Sequence, residues 1–431
     1  MIRDLLLALG LVLSPASQLR VPGLPVGPGE VCIVLWLLWS LMIEFVRLGP
    51  PMTPAFTRVL TYWIAFGSSL VIGTLTAAVI GDEHDPGLFM HDVLAYALLA
   101  PVSIMLVVEP GSRERVNRIA WFFVSIGAVV LGLQAIHGWG LMQFGDLEPW
   151  YWDRMRGWSS NPNQLGLQCA VFVPTALHVA ETAKTFPRRL GAVLCLIIGA
   201  VVGRMTKSDT FTLFLIAGAL LYGGLKLMTT LRTTGVRSAA TWVLAFTLLS
   251  IATMTAGLAS IESRELDKLL RGLSKDNGTG TQHEASLRLD VWQQAIERGF
   301  DSGMLGLGPG PHLHIPPSII TGRQTGGKRP KYIDHPDVNG LPNFEAHNTV
   351  LDLFMQGGLL AVVSLIWLIW TTVSATLRTR SDALTVMMFG LVIFGIFHLI
   401  IRSPLFWFSI GLCLVVASKS GGRPTAFARS K

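Results

Sequence analysis

The stretch E-A-H-N-T-V-L-D-L-F-M-Q-G-G-L-L-A-V-V-S-L-I-W-L-I-W-T-T-V-S-A-T at 345–376 decides what kind of molecule this is. Its apolar run, Thr349 to Thr376, is long enough to cross the roughly 30 Å hydrocarbon core of a bilayer as a helix. Polar residues Glu345 to Asn348 come immediately before it. His347, with Asn348 beside it, therefore stands at a membrane surface where a spanning helix begins. Free N–H groups and the helix dipole disfavour imidazolium there, so neutral imidazole, the form that can act as a general base, is expected. An interfacial histidine that only hydrogen-bonds loop backbone fits the same position.

The rest of the chain repeats the pattern. Of 431 residues, 51% are hydrophobic and 14% charged, and the mean hydropathy is +0.52. This excludes an ordinary soluble protein and predicts an all-α integral membrane protein. Apolar runs at 4–20, 28–48, 59–80, 91–108, 118–138, 163–182, 190–203, 210–227, 238–260, 346–376, 383–401 and 403–418 predict twelve transmembrane helices. One large extracytoplasmic loop, 261–345, lies between spans nine and ten. The expected organisation is a bundle over 1–260, the loop 261–345 packed on it, three further spans over 346–418 and a tail, 419–431.

Lysine and arginine in short connections set the orientation, because they are retained on the cytoplasmic side. Arg47, Arg58, Arg113, Arg115, Arg118, Lys184, Arg188, Arg189, Arg378 and Arg380 fall on one set of alternate connections, together with the basic termini, whereas the opposite set holds few. Both termini are thus expected in the cytoplasm and the loop 261–345 outside. The net charge of +7 is largely this bias, so it predicts anionic membrane lipid as a partner and no nucleic acid. Two runs are weak. The first has a short apolar core and is followed by Ser14-Pro15-Ala16-Ser17, which also suits a signal-peptide cleavage region; the run 190–203 is short for a span. Cys32, Cys169, Cys195 and Cys413 all fall inside apolar runs, so no disulfide framework is expected.

Candidate chemistry gathers at the outward ends. The turn Gly81-Asp82-Glu83-His84-Asp85 reads as a solvated acidic turn, or as a place for a divalent cation. The connection 139–162 holds Trp139, Trp150, Tyr151, Trp152, Asp153, Arg154, Arg156 and Trp158. Aromatic rings settle at headgroup level, but they also suit the apolar faces of sugars, and Arg154 and Arg156 suit phosphate. Asn161-Pro162-Asn163 reads as an N-cap and first turn. Arg204 and Lys207, in the next outward turn, suit a lipid diphosphate or simple snorkelling. Within the loop, Thr281-Gln282-His283-Glu284 has capping-box spacing, and Leu287, Val291, Trp292, Ala295 and Ile296 form an apolar helical face beside which Arg288 rides. Gly303, Gly306, Gly308 and Gly310 make a turn whose amides suit an anion nest. His312, His314, His335 and His347 lack zinc-motif spacing, so no metal or other cofactor is expected.

Together these stretches resemble the O-antigen ligase and polymerase family of bacterial envelope glycosyltransferases. The likeness rests on R-M-R-G-W-S-S-N-P-N-Q-L-G at 154–166, S-L-R-L-D-V-W-Q-Q-A at 286–295, L-G-L-G-P-G at 305–310 and A-H-N-T-V-L-D-L-F-M-Q-G-G-L-L at 346–360. It implies a GT-C type fold and metal-independent, inverting transfer of a glycan from undecaprenyl diphosphate to an acceptor sugar hydroxyl. The acceptor would be a second carrier-linked repeat or lipid A-core, at the periplasmic face of the inner membrane. By the same resemblance His347 is the catalytic histidine and Arg288 the loop arginine that engages diphosphate. Arg154, Arg156, Asn161, Asn163, Arg204, Lys207 and Asn348 are the expected substrate-binding residues. One departure stands out. Where the family often carries an arginine after a serine at the start of span eight, this chain has Ser208-Asp209, so Arg204 or Lys207 substitutes or the contact is missing. The Asn-Pro-Asn at 161–163 leans towards a polymerase. A polysaccharide or lipid exporter is the alternative, though ionisable groups within several spans and internal repeats would then be expected.

Overall fold

The computed structural model describes residues 1–20, 26–46, 53–82, 85–108, 112–234, 281–313 and 344–418. The expected span 238–260, His84, His314, His335 and the tail 419–431 lie outside them. The described chain is helical throughout, apart from a short 3₁₀ turn and one two-strand ribbon, β1 (Trp150–Tyr151) against β2 (Arg154–Met155). Its helices are α1 (Ile2–Leu13), α2 (Pro28–Val46), α3 (Pro54–Ile80), α4 (Pro86–Val108), α5 (Ser112–Gly138), α6 (Pro162–Thr182), α7 (Phe186–Met205), α8 (Asp209–Thr234), α9 (Thr281–Asp301), α10 (Thr349–Arg378), α11 (Asp382–Phe397) and α12 (Pro404–Ser418).

Eleven of the twelve expected runs thus fall on helices, but among the described residues only seven helices, α2, α3, α4, α5, α7, α8 and α10, are long and apolar enough to cross a membrane. The shortfall has physical causes. At 12, 16 and 15 residues, α1, α11 and α12 rise only about 18–24 Å, less than the hydrocarbon core. α6 has the length but carries Gln168, Thr175 and His178, all buried. A helix that hides polar groups inside the bundle need not be uniformly apolar.

α12 is the hub. Every residue from Leu405 to Ala417 is buried, as expected of a helix apolar on all sides. Trp407 stacks obliquely on Trp63 at 4.5 Å between centroids and meets Tyr62 at 5.2 Å. Trp63 Nε1 donates to Ser103 Oγ at 2.7 Å, so α3, α4 and α12 share one aromatic centre. α1 is part of the bundle: its buried Asp4 takes Arg118 Nε at 2.6 Å, and the carbonyl of Val12 accepts from Gln168 Nε2 at 2.9 Å. The four cysteines are free.

The polar loop meets the bundle through a break in α10. Gly357 (φ −126°) and Gly358 (φ 60°, ψ −156°) leave the helical path, the latter in a region that only glycine occupies cheaply. The carbonyls freed there are taken by the glycine turn after α9. Leu307 N donates to Met355 O at 2.7 Å and Gly308 N to Gln356 O at 2.8 Å, while Leu359 N returns a bond to Met304 O at 2.9 Å. These amides splice a helix, so they do not form the anion nest that the glycine spacing suggested. A Cβ on Gly306 would come within 2.6 Å of Gln356 O. α9 lies over the same place, burying Val291 and Ala295 with Met355 and Ala346, and Arg298 pairs with Asp82 at 2.7 Å.

Candidate active site

His347 is the residue before the cap of α10. The Asn348 side chain accepts from Val350 N at 3.0 Å and Leu351 N at 3.2 Å, closing the helix as its polar type predicts. His347 itself sits at φ 52°, a left-handed conformation that costs a non-glycine residue roughly 1–2 kcal/mol. Asp352, 1% exposed, holds it there. Its carboxylate accepts the N–H on either side of the histidine, from Ala346 at 2.8 Å and Asn348 at 3.2 Å. Trp292 of α9 donates to the carbonyl of Ala346 at 3.1 Å. The imidazole is thus presented from the apex of a clamped turn, with Phe344 edge-on at 5.0 Å. Strained backbone held by its surroundings is characteristic of functional positions.

Around this apex lies a charged cluster that sequence reasoning missed. Glu345 Oε2 is 3.9 Å from His347 Nδ1, and Glu345 is itself paired with Arg402, which also pairs with Asp92. Asp92 further accepts from Gln356 Nε2 at 3.2 Å, whose Oε1 takes the Tyr96 hydroxyl at 2.8 Å. Arg402 and Asp92 are 310 residues apart in sequence. The only available signal was an ionisable group within or between apolar runs, which by itself marks a functional hypothesis. Partial burial lowers the His347 pKa from the ordinary imidazole value, and the charges of Arg288 and Arg402 push the same way against Glu345. As 54% of the side chain remains accessible, water weakens the burial contribution and screens the charges alike.

The other expected residues divide into two groups. His398, just past α11, is the meeting point of one. Its carbonyl accepts Thr349 Oγ1 at 2.6 Å, Thr210 Oγ1 is 3.4 Å from its Nε2, and His347, Arg288 and Arg154 all lie within electrostatic reach of its ring. Arg288 is exposed on α9. Arg154 bonds Asn163 Oδ1 at 2.9 Å and Thr206 O at 3.2 Å, which ties the ribbon to the α7–α8 turn. Stretches distant in sequence therefore converge on one surface. In the second group the polar atoms have other work. Arg156 is buried and bonds both the carbonyl and the carboxylate of Glu148, at 2.9 and 3.0 Å. Asn161 caps α6, accepting from Asn163 N at 2.8 Å. Arg204 bonds Thr212. Lys207 holds Asp153 at 2.7 Å and keeps that carboxyl below its usual range.

Elsewhere, the two described carboxylates of the acidic turn, Asp82 and Asp85, have structural partners. Asp82 serves Arg298, with His312 Nδ1 at 3.7 Å, and Asp85 caps α4 through Gly87 N and Leu88 N. Among the described residues no group of three His, Cys, Asp or Glu side chains could hold a metal ion.

No curated protein matches the chain. Residues 192–366 match the family model described as O-antigen ligase. That stretch contains Arg288, His347 and Asp352, whereas Arg154, His398 and Arg402 lie outside it. Over residues 192–366 the chain is thus similar to the O-antigen ligase family, and this match together with its several long apolar helices supports a multi-pass membrane protein of that ligase and polymerase type.

Proposed function

We propose that this protein transfers a glycan from undecaprenyl diphosphate to a sugar hydroxyl at the outer face of the bacterial inner membrane, with inversion and without a metal. The acceptor hydroxyl attacks the anomeric carbon from the face opposite the diphosphate. The bond from that carbon to the diphosphate oxygen breaks, and the hydroxyl proton passes to the neutral imidazole of His347. Arg288 meets the charge that develops on the leaving diphosphate, because a planar guanidinium fits phosphate oxygens two at a time. Arg154 is the second guanidinium in this scheme. It supplies from β2 what the family often supplies from the start of α8, where this chain has Ser208-Asp209. All three cations have partners of their own, but the charge of Arg154, like those of His347 and Arg288, reaches the ring of His398, which favours Arg154.

The observation that carries this reading is the clamped, left-handed His347 on the surface that Arg288 and Arg154 share. The test is transfer by the purified protein from a carrier-linked repeat, in EDTA. His347→Ala should abolish product while leaving carrier binding and folding intact; normal product from that variant overturns the proposal. The acceptor is read from a deletion strain. Single repeats on the surface glycan mark a polymerase, and long chains accumulating on the carrier mark a ligase. The outward Asn-Pro-Asn at 161–163 favours the polymerase.

A further inference from the structure

At the end of the bundle opposite His347, where α6 finishes and α11 begins, the helices border an open cavity of about 560 Å³. The lysine and arginine distribution reads this end as cytoplasmic. Arg113, Arg189 and Arg380 line the cavity, and they belong to three different connections: the start of α5, the start of α7 and the α10–α11 turn. None of the three guanidiniums has a hydrogen-bond or ion-pair partner among the described residues, in contrast to the neighbouring cation. Lys226 is bonded to Glu181 at 2.6 Å and Asp382 at 2.7 Å, and Tyr222 donates to Glu181 at 2.9 Å. One lysine shared by two carboxylates leaves a single negative charge, so the three arginines still make a surplus of positive charge at this site.

The floor of the cavity points the same way. His178, 4% exposed, lines it and has no hydrogen-bond partner for Nε2; Asn117 Oδ1 beside it is also buried without one. Buried polar atoms are almost always satisfied, and those left open call for a group that completes them. A second hollow at this end, beside Arg58 and Arg378, contains no such atom.

We propose that this cavity binds a phosphate-bearing anion, and that its source is the headgroup of an anionic phospholipid of the inner leaflet. Basic pockets between helices on the cytoplasmic side suit such headgroups. The three guanidiniums that line it donate to phosphate oxygens in paired bonds. His178 Nε2–H donates to a further oxygen, and Asn117 Oδ1 accepts from a headgroup hydroxyl. The site lies far from the glycan chemistry and stands whether or not that reading holds.

The test uses the full-length protein in nanodiscs of phosphatidylcholine, with increasing fractions of phosphatidylglycerol, and follows the unfolding temperature. Wild type should rise saturably with phosphatidylglycerol. The variant Arg113→Gln/Arg189→Gln/Arg380→Gln should unfold at the wild-type temperature in phosphatidylcholine alone, yet need at least about tenfold more phosphatidylglycerol, the factor one lost charge-assisted bond gives. If the triple variant does not fold, Arg380→Gln, on an exposed turn, is measured in its place. Equal responses of variant and wild type overturn the proposal. The same rise produced by inorganic phosphate in phosphatidylcholine discs keeps the phosphate chemistry and overturns the lipid source.

Discussion

Replacing His347 by glycine and by alanine separates the strained backbone of this position from the role proposed for its ring. At φ 52° either non-glycine residue bears roughly 1–2 kcal/mol of backbone strain, and glycine bears none. Glycine offsets part of that relief with about 0.4–1 kcal/mol of extra freedom in the unfolded chain. Both variants lose the edge-on contact with Phe344, worth at most about 0.5–1.5 kcal/mol and less for a half-exposed ring. His347→Ala should therefore be destabilised by roughly 0.5–1 kcal/mol, while His347→Gly should lie within about 0.5 kcal/mol of wild type and above the alanine variant. Both should lose transfer, since removal of a general base costs about a hundredfold to ten-thousandfold. The assay pairs thermal unfolding in detergent with single-turnover transfer. An alanine variant as stable as the glycine one refutes the strain argument, and a glycine variant that still turns over refutes the role of the imidazole.

Three further expectations follow from the same geometry. The rate should rise with pH to a plateau with its midpoint below the ordinary imidazole value, because the His347 pKa is lowered; Glu345→Gln removes the charge that favours imidazolium and should move that midpoint to still lower pH, so a midpoint moving upwards in a pH–rate profile counts against the assignment. Arg402→Gln leaves Glu345 and the buried Asp92 without their shared guanidinium and should cost about 3–5 kcal/mol, seen as lost folded yield; wild-type yield and unfolding temperature would show the cluster to be dispensable. Gly358→Ala drives a Cβ into the Met304 carbonyl oxygen, whereas Gly81→Ala meets nothing within 4 Å, so unfolding temperatures should fall far more in the former, with only about 1 kcal/mol expected in the latter.

How far the sequence carried differs between elements for physical reasons. The long helices were legible because a spanning segment must satisfy its own backbone, and the Asn161 cap was legible because it is local. α9 was read correctly over Val291 and Ala295, but Ile296 from the same expected face is 43% exposed. Pattern alone does not tell which edge of a stripe meets a partner. Arg156 looked equivalent to Arg154, yet one is spent on Glu148 and the other reaches the surface around His398; that distinction depends on how the ribbon folds back. The glycines of 303–310 do make a turn, but the amides of Leu307 and Gly308 serve the broken helix instead of an anion. Arg402, Asp92 and His398 were invisible as a group because nothing in their spacing links residues that meet only after the bundle has closed.

The splice at Gly357–Gly358 has a consequence for how the two halves of the candidate site stay in step. Arg288 and His347 are joined covalently by a long excursion, but their mutual placement is set elsewhere. The amides of Leu307 and Gly308 are seated in the broken helix, and the Leu313–Phe344 bridge, with bonds of 3.2 and 2.5 Å, ties off the base of the excursion. The site is built like a mortise, whose fit resides in the cut faces.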